Sequence, residues 1–383
     1  MLTASKSISF FLSLGVLLLG CTKKNSFKAS SNQSSDDLFV VKNGIIAFEN
    51  SEAFDKAIKI FKSEGVEKFS ERIKLIPNFK GLSEIKLEDK ETILRLNKAL
   101  TKSDLQNKYL GLESNSENDY TPVTEELFYD DYLIQDPFME ILLNDHREVM
   151  IQDYVIRITE KGVFSYELKS QSYFEDVFDT QGFDNTLDGR NTNDNLDFSE
   201  LIEVLPDIYL LNRDEFFFNS AESNKPIPCN ENGILGINIF GQLQDCHQSI
   251  DNRRRFTATA WAQNLGFYSS IGVKIRRQTR TFGIWWNVKA DQLCLKAEGV
   301  YKTKYYNDIF TDITFKVNNI CESGARSKER ILDEHTLQIG IKVGSGKNKP
   351  SVKFSKNYSF KKLVSEFSGK DRNNNFFRLI KHN

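Results

Sequence analysis

Histidine is scarce in this chain: His146, His247, His335 and His382 are the only four in 383 residues, and they are scattered. No H-E-x-x-H occurs. Cys246-His247 would need distant ligands to complete a tetrahedral zinc site, so nothing points to a zinc enzyme or finger. C-x-x-C is also missing, which removes the thioredoxin-like and zinc-ribbon patterns. G-x-S-x-G is absent, and with it the nucleophile elbow of the α/β-hydrolases. The nearest approach to a phosphate loop is Gly344-Ser345-Gly346-Lys347. It fails because Ile341 stands where the first Gly belongs and Asn348 where Ser or Thr belongs. There is no repeat of fixed period. Beyond the first 19 residues no apolar run reaches the roughly 20 residues that cross a bilayer.

What the chain has is enough apolar material to fold, with 39% hydrophobic and 12% aromatic residues, sufficient for one large core or two to three ordinary ones. It also has a greasy opening, MLTASKSISFFLSLGVLLLGC. Lys6 precedes an apolar run from Ile8 to Leu19 that is too short to span, so the run reads as a secretion signal. Its end, Leu18-Leu19-Gly20-Cys21, resembles the lipobox of bacterial lipoproteins. By that resemblance residues 1–20 are removed and Cys21 becomes the lipid-bearing (palmitate-type) first residue of the mature chain. The competing account is a chance cysteine in an N-terminal membrane anchor; the shortness of the run and Lys23-Lys24 directly after it argue against that. At about 0.8 kcal/mol per buried methylene, more than one acyl chain holds a protein stably to a membrane. Residues 21–37, rich in Ser, Asn and Lys, cannot order themselves and are expected to form a flexible tether.

Removing Cys21 leaves Cys229, Cys246, Cys294 and Cys321, an even number in an exported chain that allows three pairings. Cys229 with Cys246 and Cys294 with Cys321 are favoured because each closes a short loop; four free buried thiols are the alternative. Charge divides the chain more sharply than any linker. From Asp251 onward there are 26 Lys and Arg against 11 Asp and Glu, a surplus of 15, which leaves 25 against 42 before it. Either an acidic and a basic module dock on each other, or the basic half meets an external polyanion.

The expected fold class is α+β: a small α/β N-terminal region followed by a larger antiparallel β-rich, sandwich-like C-terminal region. In residues 38–135, LFVVKNGIIAFEN gives a hairpin through Asn43-Gly44, and Asn50 or Ser51 caps a helix with Phe54, Ile58 and Phe61 at helical spacing. Residues 83–107 look helical. In residues 136–250, FMEILLN suggests a short helix, then EVMI, YVIRIT and VFSYEL a β-meander, then an Asp/Asn/Gly-rich loop over 175–200. Residues 251–343 are a basic antiparallel region with strands in FTATAWAQ, SIGVKIRRQ, FGIWWNVKA, LCLKAEGVYK and DITFKV. The tail, 344–383, is basic and weakly patterned.

Three segments, VVKNGIIAFENSEAFDKAI, DPFMEILLNDHREVMIQDYVIRITEKGVF and RRRFTATAWAQNLGFYSSIGVKIRRQTRTFGIWW, together resemble stretches found in that order in uncharacterised secreted lipoproteins of Bacteroidota. The resemblance spans about 100 residues. It implies a Gram-negative cell envelope, with the outer membrane as the expected address, and brings no catalytic residues.

Few constellations carry chemistry. Asp184-Asn185-Thr186-Leu187-Asp188-Gly189 matches the start of a calcium loop, with Asp184, Asp188 and Asp194 as candidate ligands. Position twelve is Asn195 rather than a bidentate Glu, and a solvated Asx-rich loop is the plainer account. Asp145-His146-Arg147-Glu148 reads as a polar turn at a helix end, with an acid/base cluster as the alternative. The densest signal is basic and aromatic: Arg253, Arg254, Arg255, Lys274, Arg276, Arg277 and Arg280 with Trp261, Trp285 and Trp286. Cations beside aromatic platforms suit acidic glycans or other polyanions; the bland account is a half-buried sheet with a solvated basic face. No cofactor is expected beyond the lipid on Cys21, and no specific nucleic acid. The leading expectation is a non-catalytic, lipid-anchored envelope protein that binds a polyanion or glycan. A structural or assembly lipoprotein with a protein partner comes next, and an enzyme acting on envelope polymers third.

Overall fold

The computed structural model describes residues 38–86, 89, 92, 128–129, 131, 133–159, 162–180, 202–205, 207–211, 236–238, 241–281, 284–305, 310–336, 338–344, 347–353 and 356–382. Strands β1 (Val40–Lys42) and β2 (Ile45–Phe48) form the expected hairpin. Asn43 and Gly44 both take positive φ, 51° and 76°, as a two-residue type I′ turn requires. Asn50 Oδ1 accepts a hydrogen bond from Ala53 N at 2.9 Å and starts α1 (Ser51–Lys74), whose Phe54, Ile58 and Phe61 are buried. Gly65, at φ 81° and ψ 171°, breaks α1 into two helical segments in a conformation that is essentially glycine-only.

After β3 (Phe128–Tyr129) comes α2 (Pro137–Leu142). Its cap is Asp136, whose Oδ1 accepts from Phe138 N at 2.9 Å and Met139 N at 3.1 Å. The meander follows as β4 (Glu148–Ile151), β5 (Tyr154–Thr159) and β6 (Gly162–Glu167), then α3 (Gln171–Thr180), β7 (Ile202–Leu205) and β8 (Ile208–Leu210). Hairpin and meander belong to one sheet, ordered β1-β2-β4-β5-β6-β8-β7, in which β2 and β4 run parallel and every other pair antiparallel. Its strands are apolar at successive positions because both faces are covered. Ile46, Phe48, Val149 and Ile151 face α1 and α2, while Ile45, Ala47, Met150 and Val155 pack on the side of Phe174 from α3.

The second sheet comprises β9 (Gly236–Asn238), β10 (Gly241–Ser249), β11 (Arg254–Asn264), β12 (Tyr268–Thr281) and β13 (Ile284–Val288), with β3 beyond β13. The chain continues through β14 (Gln292–Tyr305), β15 (Phe310–Ser323), β16 (Ser327–Thr336), β17 (Gln338–Gly344), β18 (Lys347–Lys353), β19 (Lys356–Asp371) and β20 (Asn374–His382). β16 returns to pair with the first part of β12, and β17 and β18 form a separate hairpin. The third sheet is ordered β15-β14-β19-β20. It packs on the second sheet through a core in which Phe256, Ala258, Ala260, Val273 and Ile275 meet Leu293, Leu295, Leu363, Phe367 and Phe376. This is the antiparallel sandwich expected for the C-terminal region, and the α/β region precedes it.

The weakly patterned tail proves to hold three strands, and β19 is an internal strand of the sandwich. The charge-divided halves also share one core, since Phe267, Tyr268, Trp286 and Val288 pack in the same cluster as Phe54, Phe61 and Phe138. Opposite charges from the two halves meet at Lys62–Glu334 and Arg276–Asp245.

Cys294 and Cys321 lie directly opposite on β14 and β15 and are joined by a disulfide. Cys246 is also disulfide-bonded; its expected partner Cys229 lies outside the described residues. A Cys294→Ala/Cys321→Ala double variant should lose roughly 2–4 kcal/mol, since a 27-residue separation opens in the unfolded chain. Urea midpoints of variant and parent under non-reducing conditions test this, and equal midpoints would contradict it.

Candidate functional site: a cationic cleft under the second segment of α1

Beyond its break at Gly65, α1 runs above the polar face of the second sheet. Between that segment, the first turn of α2 and the β15–β16 corner lies a cleft of about 950 Å³. Lys274 and Arg276 of β12 and Asn287 of β13 form its floor. Nine Lys and Arg side chains line it against six Glu, so the cleft carries a positive excess.

The floor is held firmly. Lys274 Nζ donates to the Gln135 carbonyl at 3.0 Å and sits 5.9 Å from the centre of the Trp261 ring. Arg276 Nη2 donates to Asp245 Oδ1 at 3.3 Å and to Thr259 Oγ1 at 3.1 Å. On the wall, Glu67 of α1 hydrogen-bonds Glu322 of β15. That bond, then partial burial and the repulsion of the second carboxylate, raises the Glu67 carboxyl above its ordinary range. Glu322 in turn accepts from Lys328 Nζ at 2.6 Å. Burial likewise raises Glu329, against the opposing effects of the Ser327 hydrogen bond and the Lys328 and Lys274 charges. Both carboxyls therefore take up protons at a higher pH than free ones, and the positive excess of the cleft grows as pH falls through the carboxylate range.

The seven basic candidates do not share one solvated face. Lys274 and Arg276 are each only 3% exposed, because β12 is internal to its sheet and its polar side is covered, and Arg277, 1% exposed, lies on the opposite face against the third sheet. The basic residues instead divide among separate tasks. Lys274 and Arg276 floor the cleft. Arg254 Nη1 and Arg277 Nε reach Asp371 Oδ2 at 3.5 Å and 2.9 Å, so both are engaged in ion pairs within the fold. Arg255 and Arg280 flank Trp285, with guanidinium carbons 4.0 Å and 5.9 Å from its ring centre. The Arg253 carbonyl accepts from Arg280 N at 2.6 Å and Thr279 Oγ1 at 3.2 Å, so this residue braces the end of the sheet through its backbone.

The Asp145–Glu148 turn is structural. Asn144 Oδ1 accepts from His146 N at 3.0 Å and Glu148 N at 2.9 Å, Arg147 Nε donates to the buried Asp131 at 2.7 Å, and Glu148 Oε1 accepts from Tyr166 Oη at 2.8 Å. Cys21 and the calcium candidates Asp184, Asp188 and Asp194 lie outside the described residues. Among the described residues no three His, Cys, Asp or Glu side chains come together as a metal site, and no helix is long and apolar enough to cross a membrane.

Sequence reasoning passes over the β15–β16 corner, whose Arg326, Lys328 and Arg330 line the cleft. Its signal is the run RSKER, which begins five residues after Cys321 and alternates basic with small or acidic positions.

No protein-family model matches the chain, and no curated protein is significantly similar to it. Among solved structures, a DUF4848 family protein from Bacteroides thetaiotaomicron aligns over 90% of this chain and 99% of its own, at 9% identity and a TM-score of 0.19. At that score and identity nothing is carried over from it to this chain.

Proposed function

We propose that this protein is an exported lipoprotein, held to the cell envelope by lipid on Cys21 and expected at the outer membrane, whose folded part is a non-catalytic binding module for an acidic polymer such as an anionic glycan. The observation that carries the binding role is the cleft: nine cationic side chains against six Glu, two of those Glu raised above the ordinary carboxyl range, over a floor fixed by hydrogen bonds. An open, positively biased cleft of this volume suits repeated negative charge better than it suits one small ligand. The carboxyl pair in the same cleft lends little to hydrolysis. Glu67 shares a hydrogen bond with Glu322, and Lys328 Nζ donates to Glu322 at 2.6 Å, so both carboxyls are already engaged within the wall.

Two measurements test the two parts of this reading. Cys21→Ser should release the protein into the soluble fraction and abolish labelling by radioactive palmitate; a variant that stays with the membrane would refute the anchor. For the cleft, Lys68, Lys289 and Arg330 are exposed lining residues whose side chains carry no core. Reversing all three to Glu should weaken binding of polygalacturonate at least about tenfold and flatten its salt dependence, since fewer counterions are released. Neutral dextran should bind neither form. Parent protein that ignores polygalacturonate at low salt, or a triple variant that binds as well as the parent, would defeat the cleft assignment.

A further inference from the structure

We infer that β15 is a self-association edge, pairing antiparallel with β15 of a second copy so that the four-stranded third sheet continues across the dimer as eight strands. β15 is fourteen residues long and stands at the end of the order β15-β14-β19-β20, so among the described residues one of its sides has no strand neighbour. Its whole length is exposed or half-exposed, with Phe310 at 60%. An edge of that length is a template for another strand unless something blunts it. Neither Pro nor a bulge interrupts Phe310–Val317, where the ladder to β14 runs without a slip, and the two charges on it, Asp312 and Lys316, are of opposite sign. The irregularity comes afterwards, where Leu295↔Ile320 gives way to Ala297↔Val317 and two residues of β15 are skipped. A partner strand can therefore follow only the stretch before Asn318.

Charge selects the register within that stretch. Centring the pair on Asp312 or on Lys316 sets like charges against each other. Centring it on Thr314 sets Asp312 opposite the second copy's residue 316 and Lys316 opposite its residue 312, two opposite-sign pairs for one twofold axis. The same register brings Ile313 against Phe315 on the inner side. Ile313, Phe315 and Val317 already pack only partly against the sandwich core, and a second strand would finish covering them. Asp312 also has Lys361 beside it on its own sheet, so the row across the dimer alternates in sign. An edge contact of about eight residues is smaller than the roughly 800 Å² per partner of a standard interface, so association is weak in dilute solution. It strengthens where copies are concentrated on one surface.

The experiment is oxidative trapping of the full-length chain in membranes of the expressing cells. Thr314→Cys places a thiol on the proposed axis. Thr311→Cys is equally exposed, but in this register it lies about 20 Å from its counterpart. Copper-phenanthroline should convert T314C to a disulfide-linked species of twice the monomer mass, on the order of tenfold more than T311C. Adding K316D to T314C should lower the yield, and adding D312K as well should restore it. T314C that stays monomeric, that links to a different protein, or that links no better than T311C would overturn the inference. So would a yield indifferent to K316D.

Discussion

Asp371→Ala is expected to destabilise the protein by about 3–5 kcal/mol, because it strands a buried guanidinium. Asp371 sits at the β19–β20 turn and is only 4% exposed; Arg277 of β12 is 1% exposed and forms an ion pair with it, Nε lying 2.9 Å from Asp371 Oδ2, with Arg254 Nη1 at 3.5 Å. The pair joins the third sheet to the second. Without the carboxylate, Arg277 keeps its hydrogen bond to the Lys289 carbonyl at 3.1 Å but loses the charge that made its burial tolerable. Urea unfolding of parent and variant gives the difference directly. If the cost comes from a stranded charge, then Arg277→Met placed on Asp371→Ala should recover part of it, since removing both partners is milder than removing one. A loss below about 1 kcal/mol, or a double variant worse than the single, would show that Asp371 merely caps a turn.

The parts of this fold that are legible in the sequence are those with local physical causes. Asn43-Gly44 fixes a hairpin because two adjacent left-handed residues are cheap only there, Asn50 and Asp136 mark helix starts because their side chains satisfy free N–H groups, and the short apolar run of YVIRIT and the period two of SIGVKIRRQ mark strands. β19 is hidden for an equally physical reason. Three of its inward positions are Ser365, Gly369 and Asp371, so polarity does not alternate, and a register slip near Lys361 breaks the period. The cleft is hidden because it is assembled from segments as far apart as 61–74 and 320–332. The basic face misleads in another way. Alternation at Lys274 and Arg276 shows that the two faces of β12 differ; it does not show that the polar face meets water. Packing settled that question, through strands on both sides of β12 and helices across it.

Phe138→Ala should cost a further large amount, about 3–5 kcal/mol, and it bears on the cleft as well as on the core. Phe138 is fully buried in α2, with ring centres at 5.7 Å from Phe54, 5.2 Å from Phe61, 5.7 Å from Phe69 and 5.9 Å from Tyr268. Those four belong to both segments of α1 and to β12, so one ring fills the space where the helix, its broken continuation and the second sheet converge. Truncation leaves a void that none of the three can close without moving the others. Phe138→Leu, which keeps most of the volume, should cost less than half as much. Its neighbours Pro137, Glu140 and Ile141 line the cleft, so a shift of α2 displaces that wall relative to the Lys274 floor. Under conditions where Phe138→Ala remains folded, polygalacturonate affinity should therefore fall although no charge has changed, and Phe138→Leu should bind as the parent does. An alanine variant that is strongly destabilised yet binds normally would mean that the core and the cleft are mechanically independent, and that the second segment of α1 is positioned by Phe69 and Ile73 alone.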